Sequence, residues 1–130
     1  MTAHTAHDIG VATHIGAYSD AVEVAPGLRW LALSGTPGMT PDGTIPESFE
    51  EQATLAWSNV VAALEKAGFG VDDLVKITQY LTSAGDIPAH AAIRSQFLGT
   101  ARPASMLMVV SALPWPQISI EVEAWAARGP

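Results

Sequence analysis

The sequence contains no cysteine. Disulfides, thiolate nucleophiles and zinc sites of the cysteine type are therefore excluded. Charge is scarce as well: 15% of the 130 residues are Asp, Glu, Lys or Arg, against about 25% in an average globular chain. Basic residues are the scarcest, six Lys and Arg against 13 Asp and Glu, for a net charge of −7. Affinity for nucleic acid rests on neutralising phosphates, so no nucleic-acid partner is expected. No apolar run approaches the ~20 residues of a membrane span. Met1 to Gly10 also lacks the basic and apolar regions of a signal peptide. A cytoplasmic protein with no membrane association is the expectation.

What is abundant is apolar surface, with 48% of residues hydrophobic. A chain this short holds one core. With so little charge it is expected to cover part of its apolar surface with copies of itself. Residues 1–16 carry His4, His7 and His14 at spacings unlike metal ligands on one helix face, and read as a flexible leader. Residues 17–130 read as a single domain.

Tyr18 to Val24 and Leu28 to Leu33 read as strands separated by a Pro26-Gly27 turn, followed by a Pro- and Gly-rich loop to Pro46. Ser48-x-x-Glu51 opens a long helix as a capping box. Its stripe is Phe49, Ala53, Ala56, Val60, Ala63, Leu64 and Ala67, and Gly68 stops it. Asp73 to Leu81 is a strand, and Asp86 with Pro88 starts a second helix that ends at Gly99. Ser105 to Ala112 is an apolar strand, and Leu113-Pro114-Trp115-Pro116 is a rigid corner. Ile118 to Ala126 alternates cleanly, with Glu121, Glu123 and Trp125 on one face. The order β-β-α-β-α-β-β predicts an α+β sandwich, two helices on one face of a mostly antiparallel sheet, with the other face bare.

Several segments match one family in order. Ile15-Gly16-Ala17-Tyr18-Ser19 with Ala21-Val22 is similar to an opening I-G-P-Y-S-x-A-V, and Leu33-Ser34-Gly35 to an S-G-Q step. Gln52, Asn59, Leu64-x-x-Ala67-Gly68, Asp73-x-Val75-Lys76, Thr78, Pro103-Ala104, Leu113-Pro114 and Ile120-Glu121-Val122-Glu123-Ala124 continue the match. From Ile15 to Ala126 the chain resembles the RidA/YjgF (endoribonuclease L-PSP-like) family. The resemblance implies a chorismate-mutase-like fold, a homotrimer built round a central barrel, and small-molecule clefts between subunits. It implies hydrolysis of 2-aminoacrylate and related imines to 2-keto acids and ammonia, with no cofactor. An arginine clamps the substrate carboxylate there, and a glutamate works through water.

The chain departs from that pattern at the clamp. The family's P-A-R-S is Pro103-Ala104-Ser105-Met106 here, and serine cannot supply a bidentate, charge-assisted clamp. The resemblance is thus to an arginine-lacking branch. Ala91 stands at a position often Asn, and Leu107 at one often Cys, while Glu123, Tyr18 and Ser34-Gly35 are retained. Glu123 is the candidate catalytic group. Tyr18, Ser34, Gly35, Ser105, Leu107, His90 and Ala91 are the candidate substrate contacts. Arg102 precedes Pro103 and is held extended, away from the clamp position. His90 is either a helix residue touching a neighbouring subunit or a base with a suitable pKa. Arg94, at a position often aromatic in the family, reads as a surface residue. Two functions compete: an imine or enamine hydrolase acting on a substrate without the usual carboxylate, and a non-catalytic trimer binding a metabolite or protein in the same clefts. The sequence does not name the substrate.

Overall fold

The structure is a computed structural model that describes residues 3–130. Its elements are β1 (His4–Ala6), β2 (Val22–Val24), β3 (Arg29–Pro37), α1 (Phe49–Lys66), β4 (Leu74–Leu81), α2 (Ile87–Leu98), β5 (Ala104–Val109) and β6 (Ile120–Arg128). Four strands form a sheet in the order β3-β6-β4-β5. β6 runs antiparallel to both β3 and β4, and β5 runs parallel to β4. A parallel neighbour requires a crossover, which α2 supplies. Both helices pack against one face, α1 over β3 and β6 and beside α2. This is the expected α+β sandwich on a mixed, mostly antiparallel sheet.

α1 begins where Ser48 Oγ accepts the Glu51 N–H at 3.1 Å and ends before Gly68, whose φ of +81° suits a residue without Cβ. Its buried side includes Phe49, Ala53, Ala56, Trp57, Val60 and Leu64. Ala63, assigned to the stripe from spacing, is exposed instead, and the much larger Trp57 fills the core. The sheet contributes Ile77, Leu81, Ile120, Val122, Ala124 and Ala126 to the same core. Truncating a fully buried Trp costs about 3–5 kcal/mol, so Trp57 is the largest single contributor by side-chain size.

The two largest boundary shifts fall in the first two expected strands, while β5 ends at Val109 in place of Ala112 and β6 runs from Ile120 to Arg128. The first strand, expected over Tyr18 to Val24, is regular only over Val22–Val24 and pairs with β1 in a separate two-stranded ribbon. β1 lies in the expected leader, the first two residues of which lie outside the described residues. His4 Nε2 lies 3.0 Å from the Ala127 carbonyl oxygen, and the Ile9 and Ala12 N–H groups donate to Asp20, so residues 4–12 follow the body of the fold. The second shift is in β3, which continues to Pro37 through a register shift between Leu33 and Thr36.

Candidate functional site

The sequence candidates fall into two groups on opposite sides of the sheet. Along β4, Ile77 and Gln79 face the helices and are fully buried, whereas Thr78 and Tyr80 face the open side. β5 follows the same alternation, since Ser105 pairs with Ile77 and Leu107 with Gln79. Ser105 and Leu107 therefore point toward α2. Glu123 pairs with Thr78 and faces away.

The helix-side group lines a cleft of about 380 Å³ at the β5 edge, formed by Gly16, Tyr18, His90, Ala91, Arg94, Ser105 and Leu107, with Ile15, Ile87 and Met106 at its apolar margins. Tyr18 is delivered by Ser19, which is buried. Ser19 Oγ donates to the Arg102 carbonyl at 2.6 Å, and its N–H donates to the Pro103 carbonyl at 3.2 Å. That tie lays the chain beside the start of β5. Gly16 leaves room for its neighbours: a Cβ there would sit 3.5 Å from both Arg94 Nη2 and the Tyr18 ring.

Gln79 organises the cleft wall. Its Nε2 donates to Ser105 Oγ at 3.0 Å and to the Met106 carbonyl at 2.9 Å, and its Oε1 accepts from Arg94 Nη1 at 3.0 Å. Each amide atom has a partner only its own chemistry allows, so the orientation is fixed. Arg94 is thus a half-buried cleft residue, not the surface residue expected, and burial lowers its pKa while it stays charged at any ordinary pH. Ile87, His90, Ala91 and Arg94 fall at spacings of three and four, one stripe of α2. That stripe was visible in the sequence. Gln79, a polar residue at the parity of Ile77 and Leu81, was its missed partner.

His90 corrects another expectation. It is fully buried inside the subunit, with its ring stacked on Trp57 and Nε2 accepting from Trp57 Nε1 at 3.3 Å. Burial, reinforced by Arg94, depresses its pKa to about 4. Indole nitrogen only donates, so Nε2 is bare and the ring hydrogen sits on Nδ1. At neutral pH the group is a donor, and the free base nitrogen is already used. Arg102 stays out of the cleft, donating to the Gly99 and Ala101 carbonyls at 2.8 and 2.9 Å.

The open-face group centres on Glu123. Tyr80 Oη donates to its Oε1 at 3.0 Å, which raises the tyrosine pKa. Tyr80 was not a sequence candidate, although its parity with Glu123 was readable. Ser34 and Gly35 together oppose Glu123, because Leu33 pairs with Ala124 and Thr36 with Val122. Two residues facing one make a β-bulge, a feature common beside functional sites. Gly35 lets the Glu121 carboxylate approach the backbone: a Cβ there would lie 2.6 Å from Glu121 Oε1 and displace it. Burial raises the Glu121 pKa. Around this acidic centre the face carries Trp30, Trp125 and Met106, each about half exposed, with the two tryptophans edge to face at 6.4 Å and Lys76 paired with Trp125.

The fold is thus an α+β sandwich with a cleft at one sheet edge and its glutamates on the opposite face. A family model described as Endoribonuclease L-PSP matches residues 10–128, and the chain belongs to that family, the Rid/YjgF proteins. Among solved structures it is similar to the Rid family protein YyfB from Yersinia pestis, with TM-score 0.86, 24% identity, and 98% and 100% of the two chains covered. It is also similar to E. coli TdcF with bound serine, with TM-score 0.71, 29% identity, and 88% and 91% covered. A 2-iminobutanoate/2-iminopropanoate deaminase of Dermatophagoides farinae is 29% identical over 111 residues, 84% of each chain.

Proposed function

We propose that this chain is a Rid-type hydrolase of a small imine, enamine or related carbonyl compound, working as a homotrimer. The observation that carries the reading is the separation described above. A cleft lined with donors and apolar groups contains no carboxylate, while Glu123 sits on the opposite face. Joining copies through that face is the arrangement that brings a Glu123 to a neighbour's cleft. Named relatives that act on imines or bind serine support a small-molecule role.

In the proposed reaction, water adds to the C=N carbon as Glu123 accepts its proton. The same carboxyl then delivers that proton to nitrogen. Glu123 then takes the carbinolamine O–H proton and passes it to the departing nitrogen, so the C–N bond breaks to leave a carbonyl and ammonia. Tyr80 holds the carboxylate, while Tyr18, Ser34, Gly35, Ser105, Leu107, His90 and Ala91 shape and orient. Neither a cofactor nor a metal enters any step. Ser105 takes from the site the strand-borne guanidinium of arginine-bearing members, which supports reading the chain as one of an arginine-lacking branch. Substrates posed by that guanidinium are expected to turn over poorly. A net charge of −7 speaks against RNA cleavage.

The test is ammonia release from a panel of freshly generated acyclic and cyclic imines, with light scattering on the same sample. Turnover by a trimer supports the reading. A trimer that binds imines or their carbonyl products without turnover favours the competing role, a metabolite- or protein-binding module using the same clefts.

A further inference from the structure

Arg94 is a half-buried cation whose Nη1 donates to a neutral amide and which makes no ion pair among the described residues. Withdrawing a guanidinium from water without a counter-charge is costly, and the cleft it lines contains no Asp or Glu to offset it. The same cleft holds a second donor on the facing strand. Ser105 Oγ already accepts from Gln79, so its hydrogen is left to donate. His90 Nδ1, fully buried behind them, has no hydrogen-bond partner among the described residues and adds no acceptor to the wall. In a chain of net charge −7, a cation and a hydroxyl donor with no carboxylate beside them form a local site for an anion.

We propose that Arg94, oriented by Gln79, is the anion clamp of this cleft and takes a carboxylate from the α2 side, with the Ser105 hydroxyl as the second donor. Gln79 fixes Nη1 and leaves Nη2, beside Gly16 and Tyr18, to the ligand. The clamp has thus moved from strand position 105 to helix position 94. Ile15, Ile87 and Leu107 suit a short apolar body behind the carboxylate. The assignment rests on reading this cleft as the substrate site, and it narrows the substrate to an anionic imine in place of the uncharged one expected from Ser105 alone.

The experiment is calorimetric titration of the full chain with 2-oxobutanoate and with its neutral counterpart 2-oxobutanamide, at low salt. The wild-type chain is expected to bind the acid at least tenfold more tightly than the amide. Arg94→Met, which keeps the stem and removes the charge, should lose that preference, and Arg94→Lys should keep part of it. Equal wild-type affinity for acid and amide overturns the clamp, and this comparison needs no variant to fold. So does undiminished acid binding by a folded Arg94→Met chain. Failure of the clamp and failure of the enzyme reading are separable. Acid binding through Arg94 with no ammonia release from any imine keeps the clamp and removes the hydrolase. Undiminished 2-iminobutanoate turnover by Arg94→Met keeps the hydrolase and removes the clamp.

Discussion

The helix-side cleft and the open sheet face share strands β4 and β5 and have opposite chemistry. The cleft is cationic and rich in donors, and its polar groups are held by one another through Gln79. The face carries the carboxylates, Glu121 and Glu123, within a surround of tryptophan and methionine. Strand alternation separates their polar groups, since along β4 Gln79 faces the cleft side and Tyr80, one residue on, the open face. A single subunit therefore divides the donors and the acid that an imine hydrolase needs at one place. Assembly is the simplest way to reunite them.

The division can be broken from either side. Glu123→Gln should lower imine turnover by about 10²–10⁴-fold, the usual range for a general acid–base group, while leaving 2-oxobutanoate affinity in the cleft unchanged. A parallel loss of binding would mean that the two regions are not separate. His90 sharpens the comparison through pH. Its folded pKa, about 4, lies below the ordinary value of 6.5. The unfolded chain therefore binds the proton first, and the stability due to neutral His90 is intact above pH 6.5. It falls between pH 6.5 and 4 and is gone below. The amplitude is about 3 kcal/mol. Urea midpoints against pH should show this decline in the wild-type chain and a flatter course in His90→Gln. The smallest effect concerns charge in the cleft. Ser105→Arg places a second cation beside Arg94, with only a neighbour's Glu123 to offset the two, and should cost about 1–3 kcal/mol in urea unfolding. Adding Arg94→Met should recover part of it. Full stability in Ser105→Arg alone would mean the cleft is better solvated than its lining suggests.

The open face was legible in the sequence and the cleft only in outline. Alternation from Ile118 to Ala126 put Glu121, Glu123 and Trp125 on one side, and β6 keeps them there. Period-2 patterning needs no knowledge of what packs on the sheet. The cleft depends on how α2 docks over β4 and β5, which spacing along one element does not encode. Arg94 therefore read as a surface residue and His90 as a possible base, although both share the Ile87–Ala91 stripe. Gln79 was overlooked because its neighbours Ile77 and Leu81 made the strand look uniformly apolar inside. The strand within the expected leader was not legible for a related reason: β1 is three residues long and is defined by pairing with β2, not by a pattern of its own.

The most direct measurement mixes two inactivated chains. Arg94→Met spoils the cleft and Glu123→Gln spoils the face. If each working site joins one subunit's cleft to another's Glu123, unfolding and refolding the two variants together makes mixed trimers in which some sites have both parts intact. Random mixing in a closed ring of three leaves about a quarter of the sites complete. The account predicts recovery of roughly that fraction of wild-type 2-iminobutanoate turnover, with neither variant active when refolded alone. A mixture that forms trimers containing both chains yet stays as inactive as its parents would contradict it.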